Sequence, residues 1–235
     1  MNSQNDNQAN KGYQNTETFD KSPYVSQMEI ILRGIVSAYN LMLLPEYELI
    51  ENHEEKITGR LYVDFLDDDI FREKMNLGDY HFHPETPSYN ENYKQIGYSD
   101  MKVRVTKKIN GFMNTTKADY IIECKRLDGG LSLNREYLAE GIIRFITEKY
   151  TAKNKHNVSA MVGFLVKKFD IAKNIAKINQ LAIDEKININ SISPIAPFKI
   201  SDSFTESYYS QHTTVSGKKA EIYHLMLDFS DKIKM

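Results

Sequence analysis

The chain has 235 residues, a formal net charge of −2 at pH 7 and a pI of about 6.3. This length suffices for one domain with a substantial hydrophobic core, and the small net charge argues against a protein that coats nucleic acid. A single cysteine, Cys124, excludes an internal disulfide, and the sequence contains neither a signal-peptide pattern nor an apolar run that could span a bilayer, so we predict a cytoplasmic protein with no membrane partner.

Residues 1–22 are rich in Asn, Gln, Ser, Thr and Lys and contain few apolar side chains. Such a segment buries too little apolar surface to offset its ordering. We therefore predict a disordered polar tail, followed by a single domain over residues 23–235. Apolar residues at helical spacing predict a core helix over residues 25–44 and a second helix over residues 51–65.

Two groups of potential metal ligands follow the second helix. The acidic run over residues 67–69 is more typical of a solvated helix end, because adjacent residues on a helix do not converge. His81 and His83 alternate on an extended segment with Glu85 on the same face, which is compatible with zinc binding. The sequence offers no third histidine at a suitable spacing, so zinc is the weaker interpretation. Glu85 is also a candidate for a minor role beside a site formed by other residues.

The segment over residues 97–126 has the pattern of a β-hairpin. Its first arm, over residues 101–105, alternates apolar and cationic side chains, and its second arm covers residues 118–127. The turn between the arms contains Asn110 and Gly111. Since the polar side chains of both arms alternate with apolar ones, the hairpin should bury one face and present the other to a site.

Acidic and basic side chains converge on one face of this hairpin. On the second arm, Glu123 and Lys125 share a face, whereas Cys124 points to the opposite, core-facing side. Pairing of the arms would bring the carboxylate of Asp100 close to Glu123, with Lys125 one step further along. Two carboxylates and a lysine suit a Mg²⁺-dependent phosphodiester hydrolase, since the cation takes oxygen ligands and lowers the pKa of a bound water. A salt bridge on a solvated strand is the simpler alternative.

Asp100 followed by Glu123-Cys124-Lys125 resembles the D…(D/E)xK signature of the PD-(D/E)xK, or restriction-endonuclease-like, nuclease superfamily. The proline of that signature is replaced here by Ser99. The bare tripeptide also begins at Glu54, Asp100 and Asp184, but only Glu123 combines it with an apolar strand and an upstream acid.

The resemblance implies a restriction-endonuclease-like α/β core with a mixed central sheet flanked by helices. It implies Asp100, Glu123 and Lys125 as catalytic residues, and Mg²⁺ or Mn²⁺ as the cofactor, with Asp100, Glu123 and Cys124 as the metal ligands. An additional catalytic acid from an N-terminal helix is expected at Glu54, with Glu55 as the alternative, unless this acid merely favours the helix dipole. The substrate implied is nucleic acid, with DNA favoured.

The elements after the hairpin support an α/β fold without reference to the family. A Gly-Gly turn over residues 127–130 precedes a helix over residues 133–150, in which Gly141 would allow close approach to the sheet. A strand over residues 158–166, a helix over 170–186 and a strand over 221–229 follow. In the nucleases that the chain resembles, the helix after the hairpin often presents side chains to the substrate. The resemblance therefore makes Arg135, Arg144 and Tyr150 candidates for substrate contact, with an ordinary amphipathic cover helix as the alternative.

Two further observations leave the function open. Ser210 and His212 suggest a nucleophile and base, but no third orienting acid is identifiable, and His224 is typical of a satisfied core histidine. Residues 101–155 contain twelve Lys or Arg and six Asp or Glu, which suits binding of a phosphate backbone. Together with the resemblance, this predicts a metal-dependent endonuclease that acts in a restriction or phage-defence complex. The alternative is a catalytically inactive subunit of the same fold that binds nucleic acid or supports a partner protein.

Overall fold

The computed structural model describes residues 22–89, 95–106, 118–149, 156–185 and 187–234. The strands of these ranges are β1 (Tyr80–Tyr89), β2 (Gln95–Val105), β3 (Ala118–Leu127), β4 (Val158–Leu165), β5 (Ser191–Pro197), β6 (Ser207–Thr213) and β7 (Lys219–Asp228). They form one mixed sheet in the order β1-β2-β3-β4-β7-β6-β5. β3, β4 and β7 are parallel to one another, and the remaining neighbours are antiparallel.

The helices lie against this sheet, and two of the helical stretches contain a π-helical turn. None of the helices in the described ranges has the length and apolar character needed to cross a membrane. Their bounds are α1 (Pro23–Met42), α2 (Glu54–Leu61) with a π-helical turn over Tyr62–Leu66, α3 (Asp69–Lys74), α4 (Leu131–Glu136) with a π-helical turn over Tyr137–Ile142, α5 (Ile143–Ile146) and α6 (Ile171–Asp184).

Both faces of the central strands are covered, which explains their continuous apolar sequence. All 8 residues of β4 are buried, as predicted for a strand between two helical layers. On one face, Ile31 of α1 belongs to the same apolar core as Tyr120 of β3. On the other face, Ile142 packs in a second core with Ile121. The α/β architecture predicted from the sequence, with a mixed sheet flanked by helices, is confirmed.

Close contact between helix and sheet occurs at Gly141, as predicted. A Cβ atom built on Gly141 would overlap the side chain of Met161 on β4. The helical stretch from Leu131 to Ile146 therefore lies against β4 at a distance that a larger residue would not allow without movement of Met161.

Several element boundaries differ from the prediction. The second helix begins at Glu54 rather than at residue 51, and the helix after β3 ends at Ile146 rather than at residue 150. α3 was not predicted from the sequence. Its N-cap is Asp68, whose side chain accepts a hydrogen bond of 2.6 Å from the Phe71 amide, in line with the predicted helix-end role of the acidic run. Residues 1–21, the turn at Asn110 and Gly111, and Tyr150 lie outside the described residues.

Candidate functional site

The site begins where the pairing of β2 with β3 ends. The last pair in the register is Met101 with Ile122, so Asp100 and Glu123 lie one residue beyond the ladder on adjacent strands. Beyond the ladder, the Asp100 side chain replaces a backbone carbonyl as the hydrogen-bond acceptor: its Oδ2 accepts a hydrogen bond of 2.7 Å from the Cys124 amide. Since a buried amide without an acceptor is costly, this bond fixes Asp100 against β3, beside Glu123 as the sequence predicts.

Lys125 is surrounded by oxygen atoms. Its Nζ lies 2.8 Å from Glu54 Oε1, 2.6 Å from the Cys124 carbonyl and 3.4 Å from Asp100 Oδ2, and its side chain is 9% exposed. Burial by itself would lower the pKa of Lys125, but the Asp100 and Glu54 carboxylates raise it above its ordinary value. The ammonium is therefore charged and held in one position by three oxygens.

Glu54 reaches the site from the first turn of α2. Its Oε2 accepts a hydrogen bond of 3.2 Å from the Arg126 amide, while its Oε1 binds Lys125. Arg126 in turn donates from Nη1 to the Asn52 carbonyl at 2.9 Å and to Asn52 Oδ1 at 3.0 Å, which anchors the segment before α2. This role of Arg126 was not predicted, and no signal in the sequence beyond its position next to Lys125 indicates it.

Glu123 is the most deeply buried acid of the site, with a side chain that is 0% exposed. Its Oε2 lies 3.1 Å from Arg144 Nη1, whereas its Oε1 is buried without a hydrogen-bond partner in the described part of the chain. Burial first, and then the nearby Asp100 carboxylate, raise the pKa of Glu123 to about 8, although Lys125 and Arg144 act in the opposite direction. Such a strongly shifted carboxyl group is characteristic of functional sites as well as of structural ion-pair networks.

The oxygen atoms of the site fit a hard divalent cation. Asp100 and Glu123 supply carboxylates, and the unpartnered Glu123 Oε1 is a buried atom that a cation would satisfy. The Cys124 thiol is buried in the core, and burial raises its pKa well above the ordinary value, so its carbonyl is the group suited to Mg²⁺. Across the described ranges, no three His, Cys, Asp or Glu side chains form a metal-binding group; Mg²⁺ commonly uses only one or two carboxylates and retains several waters.

A small cavity opens beside Asp100. Its volume is about 80 Å³, enough for a few water molecules at roughly 30 Å³ each. Glu85 lies on β1 opposite Asp100 and has a φ of 42°, in the left-handed region. The cavity gives solvent a path to the acids around Lys125. Its lining comprises Glu54, Glu55, Thr58, Gly59, Pro84, Glu85 and Asp100.

The two histidines considered for zinc lie elsewhere on the β1–β2 pair. His81 is opposite Arg104 and His83 is opposite Lys102. Burial, together with Arg104 and Lys102, lowers the pKa of His83. Cationic neighbours disfavour a metal ion at this position, so the structure gives the zinc interpretation no support.

Ser210 and His212 form part of a buried chain of hydrogen bonds. Successive contacts of 2.8 Å join Tyr137 Oη to His224 Nδ1, His224 Nε2 to Ser210 Oγ, Ser210 Oγ to His212 Nε2, and His212 Nδ1 to the Ile189 carbonyl. The Ile189 carbonyl can only accept, so neutral His212 must donate to it. Ser210 then donates to His212, His224 donates to Ser210, and Tyr137 donates to His224. The chain ends at a carbonyl rather than a carboxylate, so it is a satisfied core network and not a hydrolytic triad.

The helical side chains considered for substrate contact have different positions. Arg144 lies at the site, bonded to Glu123, whereas Arg135 pairs with Glu185 just after α6. Tyr150 lies outside the described residues. The structure thus brings together Glu54, Asp100, Glu123, Lys125 and Arg144, and leaves Arg135 remote from them.

Comparison of the chain with protein-family models, curated proteins and solved structures found no match. The resemblance to the nuclease superfamily therefore depends on the signature residues alone and stays a prediction.

Proposed function

We propose that this protein is a metal-dependent nuclease that hydrolyses phosphodiester bonds, with DNA as the favoured substrate, in the cytoplasm and in a restriction or phage-defence context. The observation that supports this proposal best is the grouping of Asp100, Glu123 and Lys125 at the end of the β2–β3 ladder. Lys125 is a buried, charged group paired with Glu54 and Asp100, and one oxygen of Glu123 has no hydrogen-bond partner among the described residues. Simple surface salt bridges do not require such burial.

Each residue has a role that follows from its position. Asp100 and Glu123 would hold Mg²⁺ or Mn²⁺ together with the Cys124 carbonyl, and the bound cation would supply a water of lowered pKa and polarise the phosphate. Lys125 orients that water and offsets negative charge as it develops on the phosphate. Glu54 holds the Lys125 ammonium at 2.8 Å, which keeps its direction fixed.

A cleavage assay tests the proposal. Purified protein with Mg²⁺ or Mn²⁺ should cleave plasmid, linear or single-stranded DNA, and EDTA should abolish the activity. Lys125→Ala should lower the rate by roughly 100-fold or more, the scale seen when a transition-state donor is removed. Lys173→Ala is the matched control, since its side chain is 80% exposed on α6. Undiminished cleavage by Lys125→Ala would refute the assignment. RNA tested in parallel defines the substrate class.

A second candidate function rests on the internal pairing of the acids. Glu54 and Asp100 share Lys125, and Glu123 is paired with Arg144, so each carboxylate has a cationic partner from the protein without a metal. This arrangement suits an inactive subunit that binds nucleic acid or supports a partner protein. Calorimetric titration with Mn²⁺ separates the two candidates. A nuclease site binds the cation and loses that binding in Asp100→Asn, whereas an inactive subunit gives the same flat titration for both proteins.

A further inference from the structure

Arg144 connects the buried acid of the site with the protein surface. Its Nη1 lies 3.1 Å from Glu123 Oε2, and its Nη2 bonds to Glu140 one helical turn earlier. The side chain of Glu123 is 0% exposed, that of Arg144 is 23% exposed and that of Glu140 is 56% exposed. The guanidinium therefore extends from a fully buried carboxylate to a solvated one.

The two cations of the site differ in how they are held. Lys125 contacts three oxygens, and its departure would leave the buried Cys124 carbonyl and the partly buried Glu54 and Asp100 carboxylates without this donor. Arg144 is anchored on α5, carries its charge on a long side chain and already has Glu140 as a solvated partner. Such a side chain can change rotamer while its head group stays hydrated. Its departure would leave the fully buried Glu123 without this donor, so Arg144 leaves only when another cation takes its place beside Glu123.

The net charge of the site indicates which ligand would bind together with a divalent metal. Once a bound metal has displaced the Glu123 proton, the three acids Glu54, Asp100 and Glu123 face two protein cations, Lys125 and Arg144, which leaves one net negative charge before the metal is counted. A divalent cation beside Arg144 would make the site net positive. A phosphodiester, which carries one negative charge, would restore neutrality.

On the basis of the proposed function, we infer that Arg144 is an internal counter-cation of Glu123 that competes with the divalent metal and then turns to a substrate phosphate. Its guanidinium suits both partners, because it forms charge-assisted hydrogen bonds with carboxylates and phosphates alike. Arg144 therefore weakens metal binding when no substrate is present and couples metal binding to phosphodiester binding when substrate arrives.

Mn²⁺ titrations by calorimetry test this inference in four proteins: wild type, Arg144→Gln, Arg144→Lys and Arg135→Gln. Arg144→Gln should bind Mn²⁺ at least about fivefold more tightly than wild type, since a like charge near the cation has been removed. Arg144→Lys keeps the charge and should stay within about twofold of wild type. Arg135→Gln, which removes an arginine paired with Glu185 away from the site, should match wild type.

The same titrations with a phosphorothioate oligonucleotide, which resists cleavage, measure the coupling. The oligonucleotide should tighten Mn²⁺ binding to wild type and tighten it less in Arg144→Gln. Equal or weaker Mn²⁺ binding by Arg144→Gln would show that Arg144 only neutralises Glu123 structurally. Absence of Mn²⁺ binding by wild type would overturn the metal site itself and the proposed function with it. Failure of the inference about Arg144 and failure of the proposed function therefore give different results.

A second measurement follows the wild-type protein and uses a variant only to assign the signal. In protein labelled with ¹⁵N-arginine, the Nε–H signal of Arg144 can be assigned by its loss in Arg144→Lys. Addition of Mg²⁺ should shift this signal while leaving that of Arg135 in place. An Arg144 signal unchanged at saturating Mg²⁺ would overturn the inference, because the guanidinium would not have left Glu123.

Discussion

Glu123→Gln should change how stability depends on pH. The Glu123 side chain is fully buried, and burial together with Asp100 raises its pKa from 4.5 to about 8. The folded protein therefore holds this proton more tightly than the unfolded chain does. The stability that Glu123 contributes is fully present below pH 4.5 and is lost as the pH rises through about 8. A glutamine at this position does not titrate, so it makes no pH-dependent contribution to stability.

The size of this effect follows from the shift. Between these two pKa values, the free energy of unfolding falls by about 1.4 kcal/mol per pH unit. The wild type should therefore lose roughly 3 kcal/mol of stability between pH 5 and pH 8 through Glu123. The free energy of unfolding of Glu123→Gln relative to wild type should increase by the same amount over that range. Glutamine retains an acceptor for the Arg144 guanidinium and a similar volume, which limits other effects of the substitution.

Urea unfolding at pH 5, 6, 7 and 8 measures the difference between the two proteins. Other titrating groups, including the buried histidines, are common to both and cancel. Glu140→Gln is a matched control, because it removes a 56% exposed acid bonded to the same arginine and should show a constant difference from wild type. Parallel stability curves for Glu123→Gln and wild type would refute the reasoning, since Glu123 would then be ionised throughout.

Three further predictions concern the framework around the site. Tyr137→Phe leaves the buried His224 Nδ1 without its donor, so urea unfolding should show a loss of about 1–3 kcal/mol. Gly129 has a φ of 76°, and a Cβ there would lie 3.0 Å from the Phe169 ring, so Gly129→Ala should lose about 1–2 kcal/mol in the same assay. Burial lowers the pKa of His224 from 6.5 to about 3; its stability contribution is therefore present above pH 6.5 and is lost on acidification. The difference in free energy of unfolding between wild type and His224→Asn should decrease by roughly 2 kcal/mol from pH 7 to pH 5. A difference that stays constant over this range would contradict the prediction.

The sequence by itself determined which side chains of the central hairpin share a face. Side chains alternate along a strand because of backbone geometry alone, so Glu123 and Lys125 were assigned to one face and Cys124 to the other. The register that pairs Met101 with Ile122 then placed Asp100 beside Glu123. The apolar run of β4 indicated a strand with two covered faces for the same local reason. Such features depend on neighbours in sequence, which a periodic pattern records.

Only the tertiary structure decided which distant residues complete the site. Glu54 and Glu55 were both candidates, and the packing of α2 beside β3 selects Glu54 for Lys125, 71 residues away. Arg135 and Arg144 were equivalent in sequence, but of the two only Arg144 reaches Glu123 from the helix that covers this face of the sheet. The insertion of β7 between β4 and β6 likewise depends on pairing between remote segments. These choices depend on contacts between segments far apart in the chain, whose free energies no local periodicity encodes.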